Sequence, residues 1–175
     1  MNINRILKIG LGILIISISA QLTINVGDIP VTGQTLSILI LAFLYKPADM
    51  FVVSLLYVLL GVLGLPVFAD GESGLEKLIG ASGGFLIGFI ISSTIISYIY
   101  QSGKSKGLLR ILSLTSLGTI IILLFGVGRL ATIYGLDKGI EYGFSPFWIG
   151  ALVKIIIGTI ITYYGRIYIN QRPKK

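Results

Sequence analysis

Leu108-Leu-Arg-Ile-Leu-Ser-Leu-Thr-Ser-Leu-Gly-Thr-Ile-Ile-Ile-Leu-Leu-Phe-Gly-Val-Gly-Arg-Leu-Ala131 runs nearly free of charge, with Lys104 and Lys106 ahead of it and Asp137 and Glu141 behind it. A helix crosses the hydrocarbon core with about 20 predominantly apolar residues, and this stretch is long enough. Five further apolar runs flank it: Ile6 to Ile24, Thr35 to Tyr45, Met50 to Leu65, Phe85 to Tyr100 and Pro146 to Tyr164. The first and last are also full spans; the other three are short and need support from neighbours. With the N-terminus in the cytoplasm, Arg5, Lys8, Lys46, Lys104, Lys106, Arg110, Arg166, Arg172, Lys174 and Lys175 all fall in inward gaps or at the two ends. The acids Asp28, Asp70, Glu72, Glu76, Asp137 and Glu141 fall outward, and only Asp49 breaks the pattern. Acids orient little, so the basic residues carry the argument. The sequence predicts an all-α membrane protein, one domain over 1–175, with six transmembrane helices and cytoplasmic N- and C-termini.

Composition agrees. Hydrophobic residues make up 54% and charged residues 12% of the 175 residues, with a mean hydropathy of +0.95, too apolar for a soluble domain. The net charge of +7 is scattered over separate inward gaps, which suits topology and lipid headgroups better than nucleic acid. Without Cys or His, disulfides, thiolate chemistry, His-based catalysis and the usual metal clusters are excluded. The expectation is a non-enzyme with no metal and no cofactor. Arg5 and Lys8 before an apolar run ending at Ser17-Ile18-Ser19 imitate a cleavable signal, but five further runs favour an uncleaved first span.

Lys46-Pro-Ala-Asp49 is a tight inward turn that makes a helical hairpin of the second and third runs, with the proline stopping the second run. Two outward connections, Gly27 to Thr35 and Gly64 to Gly84, are partly apolar and rich in helix breakers. Irregular backbone at membrane depth is tolerated where it is buried in protein or lines a cavity. Both segments are expected to fold over the outer end of the bundle and line a ligand pocket.

Lys154 lies inside the last run, eight residues beyond Pro146. A lysine at the bilayer centre costs about 2.5 to 3.5 kcal/mol and faces a cavity or partner; nearer the interface it snorkels. In a pocket it would meet an anionic ligand group. Arg129 offers a bidentate fork for a carboxylate, or an interfacial anchor. Gln34 and Thr35 both donate and accept where a loop becomes a helix, with helix capping the competing use of the hydroxyl. Gly83 and Gly84 could present free amides at a helix start or permit close packing. Gly103-Lys104-Ser105 imitates the end of a P-loop, but Tyr98 stands where that pattern's first glycine belongs and a membrane helix precedes it. Any energy source must be ion-linked or lie in another protein.

Taken together, Ala20-Gln21, Ile29 to Leu36, Leu56-Tyr57, Gly61 to Ala69, Gly83 to Phe89, and Pro146-Phe147 with Gly150 and Lys154 resemble the biotin-specific substrate-binding subunit, or S component, of energy-coupling-factor vitamin transporters. The order and spacing match over about residues 20 to 160. The resemblance implies a six-helix fold and a vitamin pocket closed by the outer loops. It implies a cell-membrane complex with a transmembrane coupling subunit and two ATPase subunits, in which the chain captures ligand outside and delivers it inward. The ligand set it implies is Gln34, Thr35, Phe68, Asp70, Ser82, Gly83, Gly84, Phe85, Arg129, Ala151 and Lys154. It also implies that the first helix meets the coupling subunit through small residues, for which Gly10, Gly12, Ser17 and Ala20 are available.

The chain departs from the family pattern at named positions. Ala151 stands where an acid is expected to accept hydrogen bonds from the ureido ring, Gly80-Ala-Ser-Gly-Gly-Phe85 lacks a proline and a phenol, and a tryptophan common near Arg129 is replaced. Weaker biotin binding, compensation by Asp70 or Glu72, or a related carboxylate such as lipoate or a biotin precursor all follow from that set. A membrane scaffold without ligand is the alternative of a different class.

Overall fold

The structure, a computed structural model, describes residues 3–26, 29–103 and 105–171. Gly27, Asp28, Lys104, Arg172, Lys174 and Lys175, used above for topology and for the first irregular segment, lie outside the described residues. Helix α1 spans Ile3–Ala20, followed by strands β1, Thr23–Val26, and β2, Ile29–Thr32. Helices α2, Gln34–Leu44, and α3, Pro47–Val62, form the expected hairpin. A 3-10 turn at Ala69–Gly71 and a short α4, Leu75–Ile79, lead to α5, Gly83–Ser102; α6, Leu108–Tyr134, the short α7, Leu136–Gly143, and α8, Trp148–Gln171, complete the chain.

Several expectations are corrected. The first apolar run does not stay helical to Ile24: α1 ends at Ala20, and β1 pairs antiparallel with β2, Thr23 opposite Thr32 and Ile24 opposite Val31. The β-branched Thr23 and Ile24 favour the pleated pairing. The chain is therefore mostly helical rather than purely so. Pro47 lies two residues past Tyr45, the C-cap of α2, and occupies the first turn of α3, where its missing N–H has no intrahelical acceptor to lose. The fourth run is a full 20-residue helix. Four helices among the described residues, α1, α5, α6 and α8, are long and apolar enough to cross a membrane, while α2 and α3 are shorter apolar helices. At 1.5 Å per residue, α2 rises only about 17 Å and α3 about 24 Å, so both depend on their neighbours.

Helix α5 is the hub: 61% of its apolar window is buried, against 22% for α1 and 17% for the outermost α8. It packs on α2, α3 and α6. Small residues permit this. A Cβ on Gly88 would stand 3.0 Å from the Ile122 backbone, and Ser92 Oγ donates across the interface to the Gly118 carbonyl at 2.9 Å. Close helix approach with interhelical hydrogen bonds is how such bundles gain stability where lipid is as apolar as leucine. Ser97 Oγ donates to the Tyr45 carbonyl at 2.7 Å, and the Tyr45 hydroxyl to the Lys8 carbonyl at 2.6 Å, which pins the α2–α3 turn to α5 and α1. Asp49, the acid out of pattern, pairs with Arg5 at 2.6 Å.

Candidate functional site

The connections after α1, after α3 and after α6 all lie at one end of the antiparallel bundle. Gly33 closes the β hairpin through its N–H to the Leu22 carbonyl at 2.9 Å, and a Cβ there would lie 2.6 Å from the Ser19 carbonyl oxygen. Only glycine lets the hairpin sit this tightly on α1. The chain then delivers Gln34 and Thr35 into the first turn of α2.

Gln34 is buried and its amide is oriented by its neighbours. The Thr32 hydroxyl donates to Gln34 Oε1 at 2.8 Å, while Gln34 Nε2 donates to the Tyr57 hydroxyl, which in turn donates to the Val67 carbonyl at 3.0 Å. The loop after α3 is held to the same network. Phe68 is buried, edge-on to Tyr57 with ring centroids 5.7 Å apart, and fills the space that a side chain at Gly61 would need. Gln21 Nε2 reaches from the end of α1 to the Phe68 carbonyl at 3.0 Å, and Thr23 Oγ1 donates to Asp70 at 2.5 Å. Glu72 pairs with Lys77. The described parts of both irregular segments thus close over the end of the bundle, as the sequence suggests.

Beneath them lies a cavity of about 70 Å³, room for several waters. Phe68, Phe85, Phe89 and Phe147 wall it, with Phe85 and Phe147 packed at 5.3 Å, and Thr32, Gln34, Thr35, Ser82 and Thr119 supply polar atoms. Ala151 and Lys154 enter from α8 one turn apart, and the Glu72–Lys77 pair stands at the loop side. Lys154 has no hydrogen-bond or ion-pair acceptor among the described residues. An unpaired cation facing aromatic walls, with an oriented amide and hydroxyls nearby, suits a small amphipathic anion.

Of the residues singled out from sequence, the cavity brings together Gln34, Thr35, Phe68, Ser82, Phe85, Ala151 and Lys154. Four lie elsewhere. Asp70 is exposed, in left-handed backbone at φ 56°, and accepts from Thr23. Gly83 packs on the Leu78 carbonyl, and Gly84 on the backbone of Phe125 and the Cβ of Arg129, so close packing is their visible role. Arg129 turns from the cavity and donates to the Ile79 and Gly80 carbonyls, capping α4. The small residues of α1 also divide: Gly12 packs against Val53 and Tyr45 and Ala20 is fully buried, so neither faces outward, whereas Gly10 is exposed and Ser17 half-buried. Sequence reasoning left out Thr119, and it named Thr32 and Tyr57 only within the blocks that carry the resemblance, not as site residues. The signal for Thr119 was a hydroxyl in mid-span, which in the structure also back-bonds to the Thr115 carbonyl at 2.9 Å.

The profile described as the BioY family matches residues 1–170. The chain is 36% identical over 154 residues to the Biotin transporter BioY2 of Lactococcus lactis subsp. cremoris, covering 87% of this chain and 84% of that protein. It is 34% identical over 159 residues to the Probable biotin transporter BioY of Rickettsia prowazekii, covering 91% and 81%. Its fold superposes with a TM-score of 0.85 on a crystal structure of the S-component for biotin from an ECF-type ABC transporter, at 22% identity over 94% of this chain and 91% of that one. The chain belongs to the BioY family.

Proposed function

We propose that this chain is the membrane-embedded biotin-binding subunit of an energy-coupling-factor transporter, not an enzyme, and that the cavity under the two loops is its vitamin site. The observation that carries the reading is Lys154, a cation without an acceptor among the described residues inside an aromatic cavity of a BioY-family chain. The biotin carboxylate meets Lys154, and the thioether ring and aliphatic chain lie against Phe68, Phe85 and Phe147. The ureido group turns to the fixed amide of Gln34 and the hydroxyls of Thr32, Thr35 and Ser82. Asp70, Gly83, Gly84 and Arg129 act from behind this surface, positioning the loops and α5 rather than touching ligand. Helices α1, α2, α3, α5, α6 and α8 all serve as spans, both termini are cytoplasmic, and the loop end faces out. Ligand enters from outside, and a transmembrane coupling subunit with two ATPase subunits drives delivery inward. Gly10 and Ser17, on the outward side of α1, are the small residues left for the coupling subunit.

A second reading, a related small carboxylate such as lipoate or a biotin precursor, is favoured by Ala151, which offers the cavity no acid. Calorimetry in detergent with biotin, biotin amide and lipoate separates the two. Lys154→Ala should weaken biotin by about 2 to 4 kcal/mol, as for breaking a buried charged contact, and weaken the amide far less. Equal biotin affinity in wild type and Lys154→Ala would remove the lysine from the site. Tighter binding of lipoate than biotin by wild type would favour the second reading.

A further inference from the structure

At the opposite end of the bundle three basic side chains converge where α5 gives way to α6. Lys106 donates to the Tyr100 carbonyl, with its Nζ 4.0 Å from the centre of the Tyr100 ring. Arg110, in the first turn of α6, donates to the Ile99 carbonyl at 2.6 Å. Arg166 arrives from α8 and places its guanidinium carbon 4.7 Å from the same Tyr100 ring. No acid among the described residues pairs with any of them; the ion pairs there are Arg5–Asp49 and Lys77–Glu72. Helix termini do not neutralise the cluster, because the roughly −0.5 charge at the end of α5 is offset by roughly +0.5 at the start of α6. Lys106, in the connecting loop, is held below its ordinary pKa by burial first and then by Arg166 and Arg110. Carbonyl capping holds Lys106 and Arg110, and the Tyr100 ring holds Arg166, but none of these contacts supplies the negative charge that the three clustered cations lack.

We propose that Lys106, Arg110 and Arg166 form a binding site for the phosphate of an anionic phospholipid. The phosphate oxygens take the remaining donors of the three side chains and relieve their mutual repulsion. The acyl chains run along α6, where Leu108 and Leu109 are 46% and 77% exposed directly beside Arg110. A free phosphate ion would use the same donors but gain nothing from those leucines.

The test is native mass spectrometry of the full chain released from micelles holding equal phosphatidylglycerol and phosphatidylcholine. Wild type should retain phosphatidylglycerol in excess, and each of Lys106→Gln, Arg110→Gln and Arg166→Gln should cut that excess by about fivefold, the effect of one basic residue near an anionic surface. Lys8→Gln removes a cation at the same end but on α1, 4.6 Å from the Tyr45 ring, and should leave the ratio unchanged. Arg166→Gln, an α8 substitution that leaves the Lys106 and Arg110 carbonyl bonds in place, is the decisive variant, with retained biotin binding as its folding control. Equal retention of both lipids by wild type, an unmoved ratio in Arg166→Gln, or an equal loss in Lys8→Gln would overturn the site. Millimolar inorganic phosphate should fail to displace the lipid; displacement by phosphate at those concentrations would mean a free-anion site and would overturn the lipid assignment.

Discussion

Tyr57→Phe tests whether the candidate pocket is built on the network around Gln34. Tyr57 is fully buried, accepts from Gln34 Nε2 and donates to the Val67 carbonyl at 3.0 Å. Phenylalanine keeps the ring and its edge contact with Phe68 but removes the oxygen, leaving an amide N–H and a carbonyl without partners where water has little access. Each orphaned buried group costs about 1 to 3 kcal/mol. The two losses overlap, because Gln34 keeps the Thr32 hydroxyl at 2.8 Å on its Oε1 and its amide can swing towards the cavity. A total of about 2 to 3 kcal/mol is therefore expected. Thermal melting of the ligand-free protein should show a fall of several degrees, and calorimetry should show biotin weakened by about 5- to 30-fold, because only the Gln34 share of the loss, about 1 to 2 kcal/mol, is felt at the ligand. The double variant Tyr57→Phe with Gln34→Ala should lose less than the sum of the two single variants, since both remove the Gln34–Tyr57 bond, while the loss at the Val67 carbonyl remains. Unchanged melting and affinity in Tyr57→Phe, or full additivity in the double variant, would refute the reasoning.

Gly61→Ala should push Phe68 out of its seat, because the new Cβ would overlap the edge of the Phe68 ring at Cζ and Cε1; overpacking of this kind costs about 1 to 3 kcal/mol, and melting should show Phe68→Ala partly rescuing it. Ala151→Asp places an acid one turn from Lys154: in a biotin pocket, calorimetry should show tighter binding through the ureido ring, and in a pocket tuned to another carboxylate the new charge should weaken that ligand. The chain has no cysteine, so Lys46→Cys and Asp137→Cys can be labelled singly in intact cells; the first should be protected and the second reactive, and the reverse would invert the bundle.

The helices were legible because crossing lipid demands long apolar runs, and α6 matches its predicted start at Leu108. The hairpin was not, because Thr23 and Ile24 continue the apolar run of α1 without a break in composition; only their pairing with Val31 and Thr32 distinguishes strand from helix. Gln34, Phe85 and Lys154 could be anticipated at one cavity because each sits near the same end of a different run. Arg129 could not be placed. Its guanidinium caps α4, a five-residue helix inside a loop, and nothing in local composition announces a helix so short.

Small residues on α1 were ambiguous for a physical reason. Glycine suits the protein core, where a Cβ on Gly12 would meet Val53, and equally an external partner or lipid, where a Cβ on Gly10 would meet nothing within 4 Å beyond its own helix among the described residues. Spacing cannot separate these uses, because both demand close approach. Lys154 escapes that ambiguity, since an intramembrane cation is costly without an acceptor, and the described residues that share its cavity, Phe85 and Phe147 among them, supply none. The ligand's carboxylate can supply it, which ties affinity to the same electrostatic deficit that singled the lysine out in the sequence.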